Sequence, residues 1–93
     1  MRRALLQSTA YARELRAWLK SHPKSAQDLE LTLEQLSADA FQPSLRTHKL
    51  LGPRSQCWAC SAGYDLRIIF EFVQHEGVEA ILLLAVGTHD QVY

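Results

Sequence analysis

The sequence predicts an α+β fold of the order β-α-α-β-β-β, with both helices packed on one face of a small antiparallel sheet. Two observations predict it. Apolar side chains recur at helical spacing over the first half of the chain, whereas the second half carries three strand-like apolar stretches. Short turn sequences separate these stretches, which favours antiparallel hairpins. Residues 1–93 are expected to form a single domain.

The first half of the chain is predicted to hold a short strand and a helical hairpin. Residues 3–7 form the strand, and Ser8 or Thr9 can cap the helix that follows. That helix ends at the Pro23 turn, and a second runs over about residues 24–39. The apolar positions of the two helices are Tyr11, Leu15, Trp18 and Leu19, then Leu29, Leu33, Leu36 and Ala40. Both helices are therefore amphipathic, as in a hairpin that covers a sheet.

The second half is predicted to begin with an irregular connection and to end in three strands. Residues 41–53 contain two prolines, a glycine and no period, and long connections of this kind often carry functional side chains. The predicted strands are residues 56–61, 66–73 and 78–86.

Alternation along the last two strands separates core from candidate site. On the first of them, the helix-facing side chains are Leu66, Ile68, Phe70 and Phe72, and the opposite ones are Asp65, Arg67, Ile69 and Glu71. On the last strand, Ala80, Leu82, Leu84 and Val86 oppose Ile81, Leu83 and Ala85. Both faces of that strand are apolar, so one of them needs a cover beyond the two helices or forms a partner surface.

Composition and charge exclude several classes of protein. The 93 residues are 47% hydrophobic and 22% charged, which is ordinary for a globular chain. The apolar run at residues 80–86 is far shorter than the ~20 residues of a membrane span. No secretory signal follows Arg2 and Arg3, and two cysteines without an export signal favour a cytoplasmic location.

Net charge is zero, so any basic surface that binds nucleic acid must be confined to one part of the molecule. The candidate cationic cluster is Arg46, His48, Lys49, Arg54 and Arg67. The alternative is a solvated face of mixed charge.

Histidine is the residue type that suggests chemistry, because its pKa lets it donate or accept a proton near neutral pH. The chain has four histidines. His22 and His75 fall at predicted turns and are expected to be exposed surface residues. His48 follows the irregular connection and His89 follows the last strand, where no core needs an imidazole. We expect these two to lie at a site.

Cys57 and Cys60 have a C-x-x-C spacing. On a strand the two thiols would point to opposite faces, and a zinc site would need two further ligands. The spacing therefore favours packing cysteines over a redox pair or a metal site.

Three motifs make the chain resemble a known family. They are His48-Lys49-Leu50-Leu51-Gly52, Gly63-Tyr64-Asp65-Leu66-Arg67-Ile68-Ile69-Phe70 and Gly87-Thr88-His89-Asp90-Gln91-Val92-Tyr93. Together they resemble the RelE-like toxins of the RelE/ParE superfamily, and within it the YafQ branch of messenger-RNA ribonucleases. The chain departs from the YafQ pattern at Ser61, Leu66 and near Ala85, where that branch carries a histidine, a tryptophan and an arginine.

The resemblance implies an active site and a role for each of its residues. His48 would act as general base and His89 as general acid, or the reverse. Asp65 would orient or tune a histidine, and Tyr93 would stack on a base or contact phosphate. Arg67 matches no motif, but its expected position beside Asp65 suits it to stabilise the phosphate. RNA-binding side chains are expected at Arg46, Lys49 and Arg54.

The resemblance also implies partners. The expected function is cleavage of messenger RNA on the ribosome by 2′-OH attack, without metal ion or cofactor, and silencing by a cognate antitoxin protein in a hetero-oligomer. Two alternatives stay open, a non-catalytic ParE-like toxin that binds DNA gyrase and a degenerate module that binds the antitoxin only. His48 and His89 discriminate between them, because a pure binding module does not require either.

Overall fold

A five-stranded sheet with two helices against one face is the framework of the protein. The computed structural model describes residues 2–63 and 65–92. Its elements are β1 (Leu5–Gln7), α1 (Thr9–Ser21), α2 (Ala26–Ala38), β2 (His48–Lys49), β3 (Trp58–Ser61), β4 (Leu66–His75), β5 (Val78–Thr88) and α3 (His89–Val92). This arrangement confirms the predicted α+β fold class. In the described ranges no helix is both long and apolar enough to span a bilayer.

The strands lie in the order β1-β5-β4-β3-β2. β3 pairs with β4 and β4 with β5 in the predicted antiparallel sense, and β2 also pairs antiparallel with β3. β1 instead pairs parallel with β5, with Leu5 opposite Ile81. The prediction of a wholly antiparallel sheet is wrong for this strand, because alternation shows which side chains share a face and not the direction of a distant partner.

Two short elements were not predicted. β2 is a two-residue edge strand inside the expected irregular connection, and it forms by pairing with β3. α3 is a single helical turn directly after β5. Both carry a candidate histidine, so both matter for the site.

The helices bury the larger core of the protein. Fully buried side chains in it include Tyr11, Leu36 and Phe70. The helix-facing residues predicted on β4 all contact this core, which confirms the alternation along that strand. At the start of α1 the Ser8 hydroxyl accepts a hydrogen bond from the Tyr11 amide at 3.0 Å, so Ser8 is the cap.

A bulge interrupts the alternation along β5. The register shifts between Ile69 and Phe70 of β4, which leaves Leu84 without a partner across the pair. Beyond the bulge Val86 joins the helix-side core, while Leu84 and Ala85 both lie on the other face. The predicted alternation of β5 is therefore wrong from Ala85 onward, because one inserted residue reverses it.

The face opposite the helices, here called the site face, carries a small core of its own. The small core consists of Leu50, Ala59, Ile69 and Val92. Ile69 has no exposed surface, so this face has the cover beyond the two helices that the sequence led us to expect. The cover comes from the connection before β3 and from α3.

Candidate functional site

His48 lies on the site face at the edge of the sheet. It pairs with Ala59 of the small core, and directly paired residues point to the same side of a sheet. The imidazole is exposed, and its Nδ1 lies 3.0 Å from the carbonyl oxygen of Arg46. A carbonyl oxygen can only accept, so Nδ1 carries a proton, and in the neutral imidazole the lone pair is then on Nε2. That tautomer is the form of histidine that a general base requires.

His89 is the first residue of α3, and this turn is capped at its start. The Thr88 amide donates to Gln91 Oε1 at 2.8 Å, and the Gln91 amide donates to Thr88 Oγ1 at 3.4 Å. This reciprocal pair is a capping box. Gly87 makes room for it, because a Cβ there would lie 2.7 Å from Gln91 Oε1. One turn beyond His89, Val92 enters the small core and holds the turn against the sheet.

A carboxylate lies beside the second histidine. His89 Nδ1 is 3.7 Å from Asp90 Oδ1, and both side chains are largely exposed. The contact is an ion pair only when the imidazole is protonated, and at such exposure it contributes little to stability. A protonated imidazole is the form that a general acid requires. The assignment of the base and acid roles to His48 and His89 stays a prediction.

A groove of about 770 Å³ is lined by four residues of α2 and, among others, by Arg46, Ser61, Asp65 and Arg67. Asp65 is in the turn before β4, with a φ of 60°, so strand alternation does not place it. Among the ion pairs of the described residues there is none between Asp65 and Arg67. The Arg67 guanidinium instead donates to the Leu66 carbonyl oxygen at 3.2 Å. Asp65 and Arg67 thus share a groove without pairing, and neither histidine lines it.

The three expected RNA-binding cations have different contacts. Arg46 lines the groove. Lys49 pairs with Trp58 on the helix side of the sheet, with its Nζ 5.9 Å from the indole ring. Arg54 donates to the backbone carbonyl oxygen of Val92 at 3.1 Å. Contact of these side chains with RNA stays a prediction, and Arg46 has the position that suits it best.

The remaining histidines and cysteines lie where the sequence predicts. His22 and His75 are exposed. Cys60 lies in the helix-side core and Cys57 packs against the small core, so the two thiols are on opposite faces. Burial raises the pKa of the Cys60 thiol to about 12, which keeps it protonated and unreactive at neutral pH. Within the described ranges no three His, Cys, Asp or Glu side chains are grouped to hold a metal ion.

The residues that hold α3 were missed in the sequence. A readable signal existed for one end of the turn, because Thr88-x-x-Gln91 before an apolar residue is a capping-box pattern. No signal existed for the bond from Arg54 to Val92, which joins positions 38 residues apart. Tyr93 lies outside the described residues, so its expected role stays a prediction.

Comparison with known proteins rests on three-dimensional structure, because the sequence matches no protein-family profile and no curated protein. The structure of YafQ from E. coli strain BL21(DE3) is similar over 98% of both chains, with a TM-score of 0.80 and 14% identity. A chain of the E. coli DinJ-YafQ toxin-antitoxin complex matches 100% of this chain over 99% of its own, with a TM-score of 0.78 and 17% identity. The YoeB/ParE toxin from Agrobacterium tumefaciens matches 92% of this chain over 98% of its own, with a TM-score of 0.77 and 9% identity.

These likenesses define the class of fold. The chain has the fold of the RelE/ParE-type toxins, as the sequence motifs led us to expect. Within that class, the likeness to YafQ extends over essentially the whole chain.

Proposed function

We propose that the protein is the toxin of a toxin-antitoxin pair and that it cleaves messenger RNA. The observation that carries this proposal is the pair of exposed histidines at the small core. The contact of His48 Nδ1 with the Arg46 carbonyl oxygen directs Nε2 to the base role when the imidazole is neutral, and His89 lies beside a carboxylate on a capped turn. The fold shared with YafQ and with the YoeB/ParE toxin supports the toxin role.

The chemistry follows from the two histidines. Nε2 of His48 takes the proton of a ribose 2′-OH, and the 2′-oxygen attacks the adjacent phosphorus. The bond from phosphorus to the 5′-oxygen breaks as His89 gives its proton to that oxygen. The products are a 2′,3′-cyclic phosphate and a 5′-hydroxyl. Arg46 and Arg67 supply positive charge to the crowded phosphate, with no metal ion or cofactor in any step.

The proposed substrate is messenger RNA held in the ribosome. A chain of zero net charge has little general attraction for free RNA, so a ribosome that presents the strand would supply binding that this surface lacks. The proposed silencing partner is a cognate antitoxin in the cytoplasm. A chain of the E. coli DinJ-YafQ toxin-antitoxin complex has the same fold, which supports that partner.

Induced expression in a bacterial host tests the proposed function. Wild-type protein should stop growth and create new transcript 5′ ends within coding regions. The matched control is the double variant His48→Gln/His89→Gln, which keeps polar side chains of similar size at exposed positions and should create none. Growth arrest without new 5′ ends, or the same ends from both proteins, would exclude ribonuclease activity at this site.

A ParE-like gyrase inhibitor is the second candidate, because the fold also matches a YoeB/ParE toxin. It predicts a change in plasmid supercoiling with intact transcripts. The same cultures distinguish the two functions when plasmid topology is measured beside transcript ends.

A further inference from the structure

Arg54 makes a long-range contact with the turn that carries His89. Its Nη1 donates to the carbonyl oxygen of Val92 at 3.1 Å, across 38 positions of the chain and in a partly buried setting. Val92 is the last residue of α3, and its side chain is only 6% exposed within the small core. The bond therefore joins the connection before β3 to the end of the α3 turn.

A helix as short as α3 needs such support. Isolated helices of fewer than ~12 residues are marginal in water, and α3 has four. The last carbonyl groups of any helix lack partners within the helix. A cationic side chain that donates to them satisfies the hydrogen bond and opposes the negative end of the helix dipole. The Arg54 guanidinium meets both needs at Val92.

The two ends of α3 are held independently. Thr88 and Gln91 close the start of the turn by the capping box, and Arg54 with the small core closes its end. His89 lies between these two attachments. Loss of either one would let the imidazole move relative to His48, which is fixed to β3 through β2.

We infer that Arg54 is a positioning residue that holds α3, and through it His89, in place by its hydrogen bond to Val92. This role differs from the contact with RNA that the sequence led us to expect for Arg54. The effect of Arg54 on cleavage rests on the proposed function, but its effect on the α3 turn does not. A misplacement of about 1 Å at a catalytic group costs up to ~10²-fold in rate, so a loose turn should lower kcat.

Two substitutions separate positioning from RNA binding. Arg54→Lys keeps a charge and a donor, and Arg54→Met removes both while it keeps an unbranched apolar stem. Arg16→Met is the matched control, since it removes an exposed positive charge from α1. The first readout is the set of backbone ¹⁵N order parameters of residues 88–92 in the protein without RNA. The second is kcat and KM for cleavage of ribosome-bound message.

We expect order parameters near ~0.85 in the wild-type protein, in Arg54→Lys and in Arg16→Met, and below ~0.6 for residues 88–92 in Arg54→Met. We expect kcat to fall about 10- to 100-fold in Arg54→Met with KM unchanged, and Arg54→Lys to recover most of it. An unchanged order parameter in Arg54→Met would overturn the inference. A raised KM with a rigid turn would assign Arg54 to RNA binding.

The relaxation experiment separates failure of this inference from failure of the proposed function. If the wild-type protein cuts no RNA, the proposed function fails, and the order parameters still decide whether Arg54 holds α3.

Discussion

On the helix side of the sheet, two 13-residue helices bury a continuous core that includes Tyr11, Leu36 and Phe70. On the site face, the small core has four buried residues and is covered by a connection and a single helical turn. Large buried apolar surface contributes most to folding stability. The candidate histidines therefore lie on the thinner side of the sheet, where few contacts fix each side chain.

This division predicts that activity and stability can be lost separately. Functional residues on loops and short turns depend on a rigid scaffold for their position, and the low-stability parts of a fold open first. Substitutions on the site face should change cleavage more than unfolding. Substitutions on the helix side should do the reverse.

The largest expected effect is on catalysis. His48→Ala and His89→Ala should each lower cleavage by ~10² to 10⁴, since that is the usual contribution of a positioned acid or base. Both side chains are exposed, so the melting temperature should stay within a degree or two of wild type. His75→Ala is the matched control, because His75 is exposed at the end of β4, away from the small core. Wild-type cleavage in either site variant removes that histidine from the mechanism.

The next largest effect is expected on stability, and urea unfolding compares the free energies that the two cores contribute. Phe70→Ala should lower the free energy of unfolding by about 3 to 5 kcal/mol, as for other buried aromatic residues. Val92→Ala removes two methyl groups from the small core and should lower the free energy of unfolding by only about 1 to 2 kcal/mol. The same substitution should lower cleavage, because Val92 holds α3 against the sheet. If the alanine variant at Phe70 does not fold, Phe70→Leu gives the comparison. Equal losses at the two positions would contradict the division between faces.

A smaller effect is expected where α1 meets the end of β5. β1 ends at Gln7, and beyond it the Val86 amide of β5 donates to Glu14 Oε1 at 3.0 Å. Glu14→Ala should cost about 1 to 2 kcal/mol in unfolding free energy because the amide loses its acceptor. Glu14→Gln should recover part of this loss, since an amide oxygen still accepts. Glu30→Ala, at an exposed position of α2, serves as control. No difference between the Ala variants would show that solvent replaces the carboxylate.

The smallest expected effect concerns two cations with different surroundings. Arg46 lines the groove with Asp65 and Arg67, and Lys49 lies against Trp58 on the helix side. Arg46→Ala should weaken RNA binding and reduce the slope of log affinity against log salt by about 1. Lys49→Ala should change that slope less. Equal changes would mean that the RNA also reaches the helix side.

The sequence predicts a local pattern better than a long-range contact. The alternation of β4 is readable because every second side chain enters one core, and the structure confirms it. The bulge at Leu84 is not readable, since an inserted apolar residue leaves the composition of the strand unchanged. The parallel direction of β1 depends on a partner far along the chain.

The candidate site, too, was predictable from local patterns and not from long-range contacts. His48 and His89 stand out because an imidazole at the margin of an apolar stretch needs an explanation. The separation of Lys49 from the groove follows from the pairing of β2, which the irregular connection conceals. The bond from Arg54 to Val92 exists only in the folded chain.

The most direct test of histidine-catalysed attack by the 2′-OH uses ribosomes programmed with a message that carries one 2′-deoxynucleotide at the mapped cleavage position. The wild-type protein should cut the all-ribose message, leave a 2′,3′-cyclic phosphate and a 5′-hydroxyl, and retain activity when EDTA is added to ribosomes kept intact by polyamines. It should leave the 2′-deoxy message uncut at that position. Cleavage of the 2′-deoxy message, or a 5′-phosphate on the product, would contradict the proposed mechanism.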